Sequence, residues 1–389
     1  MIVHAYYDED PRVRREAEAL IATGREVDVF ALRRRDDPPD GVVDGVRVRR
    51  LDVQRHQGAG IRTYLREYVS FGIRSGWQLA RAHRRRRYGL VQVHSLPDFL
   101  AFAALPLRLA GVPLLLDLHE AMPEFFRSRF PRASNPLAHK ALLVQERASI
   151  AIASAVVTVN AAMADRLVGL GVASDKVHVV GNTPSIVRFD PRAYPRRPFE
   201  ADGTVRLVYA GALTPIYEVD AVLGAIARLR SARPALDVSL DVYGRGDAEP
   251  AWREQAVRLG LGDRVAFHGR IPIDDVPGAI AAADIGLAPT RRDPFTDVSL
   301  STKIFEYAAL GKPVVASRLP MVEASFPPGT IRTYEPGDAG SLAAAIEAIV
   351  DDPVRRDAAI SATAVIVAER SWERESGGYV ALVDRLARR

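Results

Sequence analysis

Cysteine is absent from the sequence, which excludes disulfides and thiolate metal sites. A reducing cytoplasm is compatible with that absence. No apolar run approaches the roughly 20 residues needed to span a bilayer. The opening residues, MIVHAYYDEDPRV, lack a basic segment followed by an apolar core, so no signal peptide is expected. No Asp-x-Asp pair falls at a strand end, and the run HRRRRYG at residues 83–89 resembles no metal or nucleotide motif. No metal is therefore expected. Internal repeats at solenoid periods are missing. A nucleic-acid recognition motif is missing too, which argues against a nucleic-acid partner.

The composition is that of a soluble globular protein. Hydrophobic residues make up 48% and charged residues 26% of a chain of 389, long enough for two domains. The net charge of +5 is unevenly placed. Residues 47–87 carry twelve arginines (Arg47, Arg49, Arg50, Arg55, Arg62, Arg66, Arg74, Arg81, Arg84, Arg85, Arg86 and Arg87) against two acids, Asp52 and Glu67. That stretch is thus +10 and the remainder −5. A local basic surface on an otherwise balanced chain points to an anionic partner. Within it, residues 64–87 mix Tyr, Phe and Trp77 with arginine. Two readings stand: a solvated helix face, or a membrane-facing or lipid-phosphate-binding surface in peripheral contact with the inner face of a membrane.

Short Val/Ile/Leu-rich runs alternate with helical patterns. In the first half the expected strands are IVHA, EVDVFAL, GVRVRRL, GLVQVHS, VPLLLDLH, AVVTVN and KVHVVGN. Continuous apolar runs suit parallel strands buried on both faces, and their alternation with helices implies a doubly wound α/β sheet. The pattern breaks over residues 182–203, rich in Pro and Arg, then restarts at VRLVYAG. The expected organisation is one Rossmann-like domain at 1–185, a linker at 186–203 and a second at 204–370, which the family resemblance described below makes the acceptor-side and the nucleotide-sugar-binding domain. A terminal helix at 371–389, interrupted by Gly377 and Gly378, is expected to pack back on the first domain. Ligands of such sheets bind at the carboxyl ends of the strands, so a cleft between the domains is the expected site.

The most informative stretch is SLSTKIFEYAALGKPVV, residues 299–315. A loop containing Asp297 leads through Ser301 and Thr302 into a helix that Gly311 ends. A helix N-terminus suits a diphosphate, and Glu306, one turn in, is placed to accept both hydroxyls of a ribose. A surface glutamate on an ordinary amphipathic helix is the competing reading. A second constellation, Asp117-Leu118-His119-Glu120, closes a buried strand. There a histidine can bind a sugar hydroxyl or move a proton. Glu120 and Glu124 follow on the loop, either able to orient an acceptor hydroxyl, and His94 and Asp98 in VHSLPD end the preceding strand.

FEYAALGKPVVAS resembles the donor-binding signature of glycosyltransferase family 4, the retaining enzymes with the GT-B fold. DPRVRREAEAL, VHSLPDFLAFAAL with LLLDLHEAMPE, LVYAGALTPIYEVD, VYGRGDAEP and LGLGDRVAFHGRIPIDDVPGAIAAADIGLAPT match further family motifs in order, over nearly the whole chain. The second of these is similar to a subgroup that builds bacterial surface polysaccharides. The resemblance implies two Rossmann-like domains, a nucleotide diphosphate sugar as donor, and a glycan, lipid-linked or small-molecule acceptor. It implies transfer of a hexose-type sugar without a cofactor. It places Glu306 on the ribose and His119 against the donor sugar and leaving phosphate, with donor contacts from Gly211, Ala212, Leu213, Arg245, Asp297, Ser301, Thr302 and Lys303. His94, Asp98, Glu120 and Glu124 fall on the acceptor side. The chain departs from the family where many relatives carry cations, here Ala212 and Ile216, so Lys303 and then Arg245 are expected to neutralise the diphosphate. Arg291 and Arg292 are further candidates, with a solvated loop as the competing reading. It departs again at Val298, where the family has a glutamate, with Asp297 adjacent. A sugar-nucleotide epimerase of the same fold, or a degenerate binding subunit, would share these features.

Overall fold

The computed structural model describes residues 1–56, 60–130, 133–195 and 197–388. Residues 57–59 of the basic stretch and Arg196 of the expected linker lie outside the described residues. The chain divides into two compact units, Met1–Asn182 with Glu373–Arg389, and Thr183–Trp372.

In the first unit the elements run α1 (Pro11–Ala22), β1 (Asp28–Leu32), β2 (Asp40–Val43), β3 (Val46–Leu51), α2 (Ile61–Arg86), β4 (Val91–His94), α3 (Leu105–Leu109), β5 (Leu114–Leu118), α4 (Met122–Arg129), α5 (Pro136–Ile152), β6 (Ala155–Thr158), α6 (Ala161–Gly169) and β7 (Val177–Val179). Strands pair in the orders β1-β3-β2 and β4-β5-β6-β7. Ile2 bridges Phe30 and Val93 in parallel, which joins the two groups. Among the described residues only β2 runs antiparallel. It reads DGVV with partly exposed residues, an edge strand without the continuous apolar run that marks the others. The expected IVHA strand is reduced to the bridges at Ile2. The core joins Phe30, Leu32, Val93, Leu114, Leu116 and Val156 from the strands to Phe71 and Leu79 of α2.

The second unit continues with β8 (Thr204–Ala210), α7 (Val219–Ala232), β9 (Asp237–Tyr243), α8 (Glu249–Arg258), β10 (Val265–Gly269), α9 (Val276–Ala281), β11 (Ile285–Ala288), α10 (Thr302–Ala309), β12 (Val314–Ser317), α11 (Pro320–Ser325), β13 (Arg332–Tyr334), α12 (Ala339–Val350) and α13 (Pro353–Glu369). Its six strands are ordered β10-β9-β8-β11-β12-β13, all parallel. The order reverses between β8 and β11, and such reversals are where doubly wound sheets bind ligands.

The aperiodic stretch after Asn182 belongs to this second unit. Phe189 is buried and joins a core cluster with Ile280, Ile304 and Phe305. The last helix, α14 (Trp372–Ala387), runs unbroken through Gly377 and Gly378. From Glu373 onward it belongs to the first unit: the Tyr379 hydroxyl donates to Gln92 at 2.6 Å, and Asp384 accepts from Arg25. Among the described residues no helix is long and apolar enough to cross a membrane.

Candidate functional site

In the second unit, β8 and β9 end in glycine-containing loops that lie backbone against backbone. Gly211 N–H donates to Tyr243 O at 2.9 Å, and Leu213 N–H to Arg245 O at 3.0 Å. A Cβ on Gly244 would stand 1.7 Å from Gly211 O, so no other residue fits there without separating the loops. Gly244→Ala is therefore expected to part the two loops and lower the melting temperature of the unit, read by calorimetry, while its helical circular dichroism is kept.

Lys303 of α10 lies over this junction. A Cβ on Gly211 would meet Lys303 Cε at 2.2 Å and Nζ at 2.8 Å. Lys303 Nζ sits 4.1 Å from the Tyr217 ring centroid and 5.5 Å from that of Tyr209. The residue is 8% exposed. Among the described residues it has no ion pair or hydrogen bond. A lysine is seldom buried unless paired, and ring faces compensate its charge only in part. The arrangement presents an uncompensated cation at the carboxyl end of β8.

Other cations near this loop differ. Arg292 is paired with Asp297 at 3.1 Å, and Arg291 lies 3.8 Å from both Glu218 and Asp220. Arg245 is exposed and has no ion pair among the described residues. Ala212 is exposed, and its carbonyl accepts from the Tyr209 hydroxyl at 2.7 Å. Ser301 caps α10 by position, without a side-chain hydrogen bond, and Thr302 opens the helix. Glu306 is half-buried on the same helix, beside Tyr307, whose hydroxyl accepts from Ala210 N–H at 3.1 Å. Sequence reasoning missed Glu218. It is buried at the start of α7, accepts from Gly337 N–H at 2.7 Å and from the Tyr334 hydroxyl at 3.3 Å, and its pKa is raised by burial.

In the first unit the carboxyl ends of β4 and β5 carry His94 and Asp117, with His119 just beyond. Asp10 caps α1, accepting from Arg12 N–H and Val13 N–H, and Pro11 opens the helix. That start aims Arg12 at Asp117, to which its Nε and Nη2 donate at 2.8 and 3.0 Å. Arg12 Nη1 donates to Val180 O at 3.2 Å. His94 Nδ1 lies 3.0 Å from the same carboxylate, and His119 Nδ1 lies 3.8 Å from it. The network extends away from the strand ends. Glu16 pairs with Arg12 at 3.1 Å and accepts from Gln92 Nε2 at 2.7 Å, and Gln92 in turn accepts from Tyr379.

Burial opposes the Asp117 charge, but Arg12 and the two histidines outweigh it and hold its pKa well below the carboxylate range. Burial also works against a charge on His119, yet the neighbouring Asp117 outweighs it and the pKa rises. Burial raises Glu16, against the charge of Arg12. The His119 side chain is 19% exposed, whereas those of Arg12, Glu16, His94 and Asp117 are nearly inaccessible. His119 is thus the outlet of a buried charge network. His94, Asp117 and His119 bring three donor atoms within 4.8 Å of one another. Both Asp117 oxygens are already taken by Arg12, so the set suits a hydrogen-bond network better than a cation.

The four residues expected on the acceptor side fare differently. His94 and Asp98 are fully buried, so neither can touch an acceptor at the unit's surface. Among the described residues Asp98 has no hydrogen bond to either carboxyl oxygen, and burial together with Glu146 drives its pKa well above the usual range. Glu124 is held by Arg166 through contacts of 2.9 and 2.7 Å, which Glu146 shares. Glu120 remains half-buried and without an ion pair among the described residues, its pKa raised by burial.

Comparison with known proteins gives the family and the fold. Residues 10–183 match the Glycosyl transferase 4-like domain and residues 204–352 match Glycosyl transferases group 1. The chain is 26% identical over 318 residues to a D-inositol 3-phosphate glycosyltransferase of Pseudarthrobacter chlorophenolicus, covering 79% of this chain and 74% of that one. It is also 26% identical over 349 residues to a glycogen synthase of Mycobacterium tuberculosis, covering 86% and 80%. Among solved structures, the sucrose-phosphate synthase of Thermosynechococcus elongatus superposes with a TM-score of 0.79 at 19% identity, over 99% of this chain and 98% of that one. Anabaena HepE, in complex with UDP and glucose, gives 0.70 at 18% identity, over 98% of each chain. At those identities the structural likeness shows the fold alone, which is GT-B. The two family matches together take in most of the chain, and the protein belongs to the glycosyltransferases that pair a 4-like domain with a group 1 domain.

Proposed function

We propose that the chain moves a hexose-type sugar from a nucleotide diphosphate sugar to a glycan, lipid-linked or small-molecule acceptor, with retention and without a metal or other cofactor. The observation that carries the reading is Lys303, buried over the Gly211–Gly244 junction with no carboxylate paired to it among the described residues. A leaving diphosphate is the anion it fits, since electrostatic stabilisation of developing charge is usually the largest catalytic contribution. Arg245, likewise without an ion pair among the described residues, would share that role. Glu306 would take the ribose. The loop backbone at Gly211, Ala212 and Leu213, with Asp297, Ser301 and Thr302, would line the donor. His119, charged more readily because of Asp117, would face the donor sugar and the leaving phosphate. Glu120 would orient the acceptor.

In this reading the chain works in the cytoplasm, with residues 47–87 resting on the inner face of the membrane. The relatives' names differ in acceptor, so they support transfer rather than a given product.

The test is a thermal-shift panel of UDP, GDP, ADP and dTDP sugars. At about 100 times Kd a single donor should stabilise by about 2.7 kcal/mol. Glu306→Ala should weaken that donor at least tenfold, because hydrogen bonds to a charged acceptor contribute about 1.5–3 kcal/mol each. Sugar-nucleotide turnover with no acceptor present would favour an epimerase. A panel with no stabilising nucleotide would sink the donor reading and leave a non-catalytic subunit.

A further inference from the structure

Helix α2 buries Glu67, Phe71, Ser75, Leu79 and Ala82 against the first unit. Its outward side carries Leu65, Val69, Ile73 and Trp77 at four-residue spacing, exposed by 56%, 47%, 68% and 62%. A helix on a water-facing surface ordinarily places polar residues there. Exposed arginines flank the apolar row: Arg62, Arg66, Arg81, Arg84 and Arg85 have no carboxylate partner among the described residues. By contrast Arg47 and Arg49 are paired with Asp28, Arg50 lies near Asp8 and Asp37, and Arg86 is paired with Glu26.

At the C-terminal half of α2, Trp77, Gln78, Arg81, Arg85 and Arg86 line an open cavity of about 390 Å³ together with Arg49 of β3. The Arg81 guanidinium lies 5.5 Å from the Trp77 ring centroid. Because α2 ends just before β4 begins, this cavity sits at the amino-terminal edge of the sheet. His94, Asp117 and His119 occupy the opposite, carboxyl-terminal edge. The cavity is therefore no part of the network around Asp117.

We infer that α2 is an interfacial helix seated on an anionic bilayer. Its apolar row enters the headgroup boundary, and the Arg49–Trp77–Arg81–Arg85 cavity holds a lipid phosphate. The inference deepens the peripheral-membrane reading of residues 47–87 and is independent of the transfer reaction. Charge complementarity selects a phosphate. The adjoining apolar row selects a lipid as its carrier, because a soluble anion would leave four exposed apolar side chains with nothing to cover them. Trp77 belongs to both features, the amphipathic residue expected at that depth.

Vesicle sedimentation with phosphatidylcholine alone, and with added phosphatidylglycerol, tests this using the full chain. Wild-type protein should sediment only with the anionic vesicles and be released by raised salt. Its tryptophan emission should shift to shorter wavelength, since Trp252 and Trp372 are already buried and Trp77 is not. With melting temperatures kept near wild type, Arg81→Gln/Arg85→Gln should weaken binding about 30-fold, and Ile73→Ser/Trp77→Ser at least about tenfold through lost apolar burial. No sedimentation of wild-type protein would overturn the membrane reading itself. Sedimentation unaffected by Arg81→Gln/Arg85→Gln would overturn the phosphate cavity and leave the membrane reading standing. Stabilisation by inorganic phosphate that needs Arg81 and Arg85, without vesicle binding, would assign the cavity to a soluble anion and overturn the lipid.

Discussion

Replacing Lys303 by glutamine is expected to lower kcat/KM for sugar transfer by about 10²–10³-fold, the effect of removing one preorganised electrostatic group. Glutamine keeps most of the side chain that lies over Gly211 and against Tyr217, so little of the loss should come from packing. The magnitude follows from what is missing around Lys303. The places where many relatives carry cations are Ala212 and Ile216 here. Arg291 and Arg292 already face carboxylates. Few positive charges are left to meet a diphosphate, and one of them is nearly dehydrated, where each interaction is strengthened. Lys303→Arg should recover only part of the rate, because a guanidinium is bulkier than the ammonium now packed over the glycine. A glutamine variant within threefold of wild type would remove Lys303 from the diphosphate site. Arg245→Gln would then be expected to show the large loss.

The alternation of strands and helices was legible because a parallel strand buried on both faces is a continuous apolar run, as in the LLL of β5 and the AVVT of β6. The same rule hid β2, whose edge position needs no such run. It also gave the stretch after Asn182 as a spacer, since aperiodicity says nothing about what a single aromatic such as Phe189 buries. Gly377 and Gly378 suggested a break in the last helix. Each glycine costs about 1 kcal/mol there, but burial of Tyr379, Leu382, Val383 and Leu386 outweighs that propensity. The candidate site divides along the same line. Lys303, Glu306 and the glycine loops form local motifs and could be read directly. Arg12 with Asp117, Glu16 with Gln92, and Gln92 with Tyr379 are 105, 76 and 287 residues apart. No local pattern reports such pairings, so His94 and Asp98 were assigned to an acceptor surface although the fold buries them.

Arg12→Leu is expected to destabilise the first unit by about 3–5 kcal/mol at neutral pH, because it leaves Asp117 as an uncompensated buried carboxylate. For a unit of this size that is on the order of 10 °C in melting temperature. The loss should depend on pH in a defined direction. In the wild type the Asp117 pKa is depressed, so its stabilising contribution is present above the unfolded carboxylate range and is lost only as pH falls through the lower folded value. Without Arg12, burial dominates and the pKa of Asp117 rises above its unfolded value. The contribution changes sign and destabilises at every pH above the unfolded range. Glu16, already raised by burial, moves further the same way, and protonation of His119 beside Asp117 also favours the acid side. The deficit measured by calorimetry should therefore be largest near pH 8 and shrink towards pH 5. Adding Asp117→Asn to Arg12→Leu should recover much of the stability, because removing both members of a buried pair costs far less than removing one. An equal deficit at both pH values, or a double variant no more stable than Arg12→Leu, would show that Arg12 acts through packing.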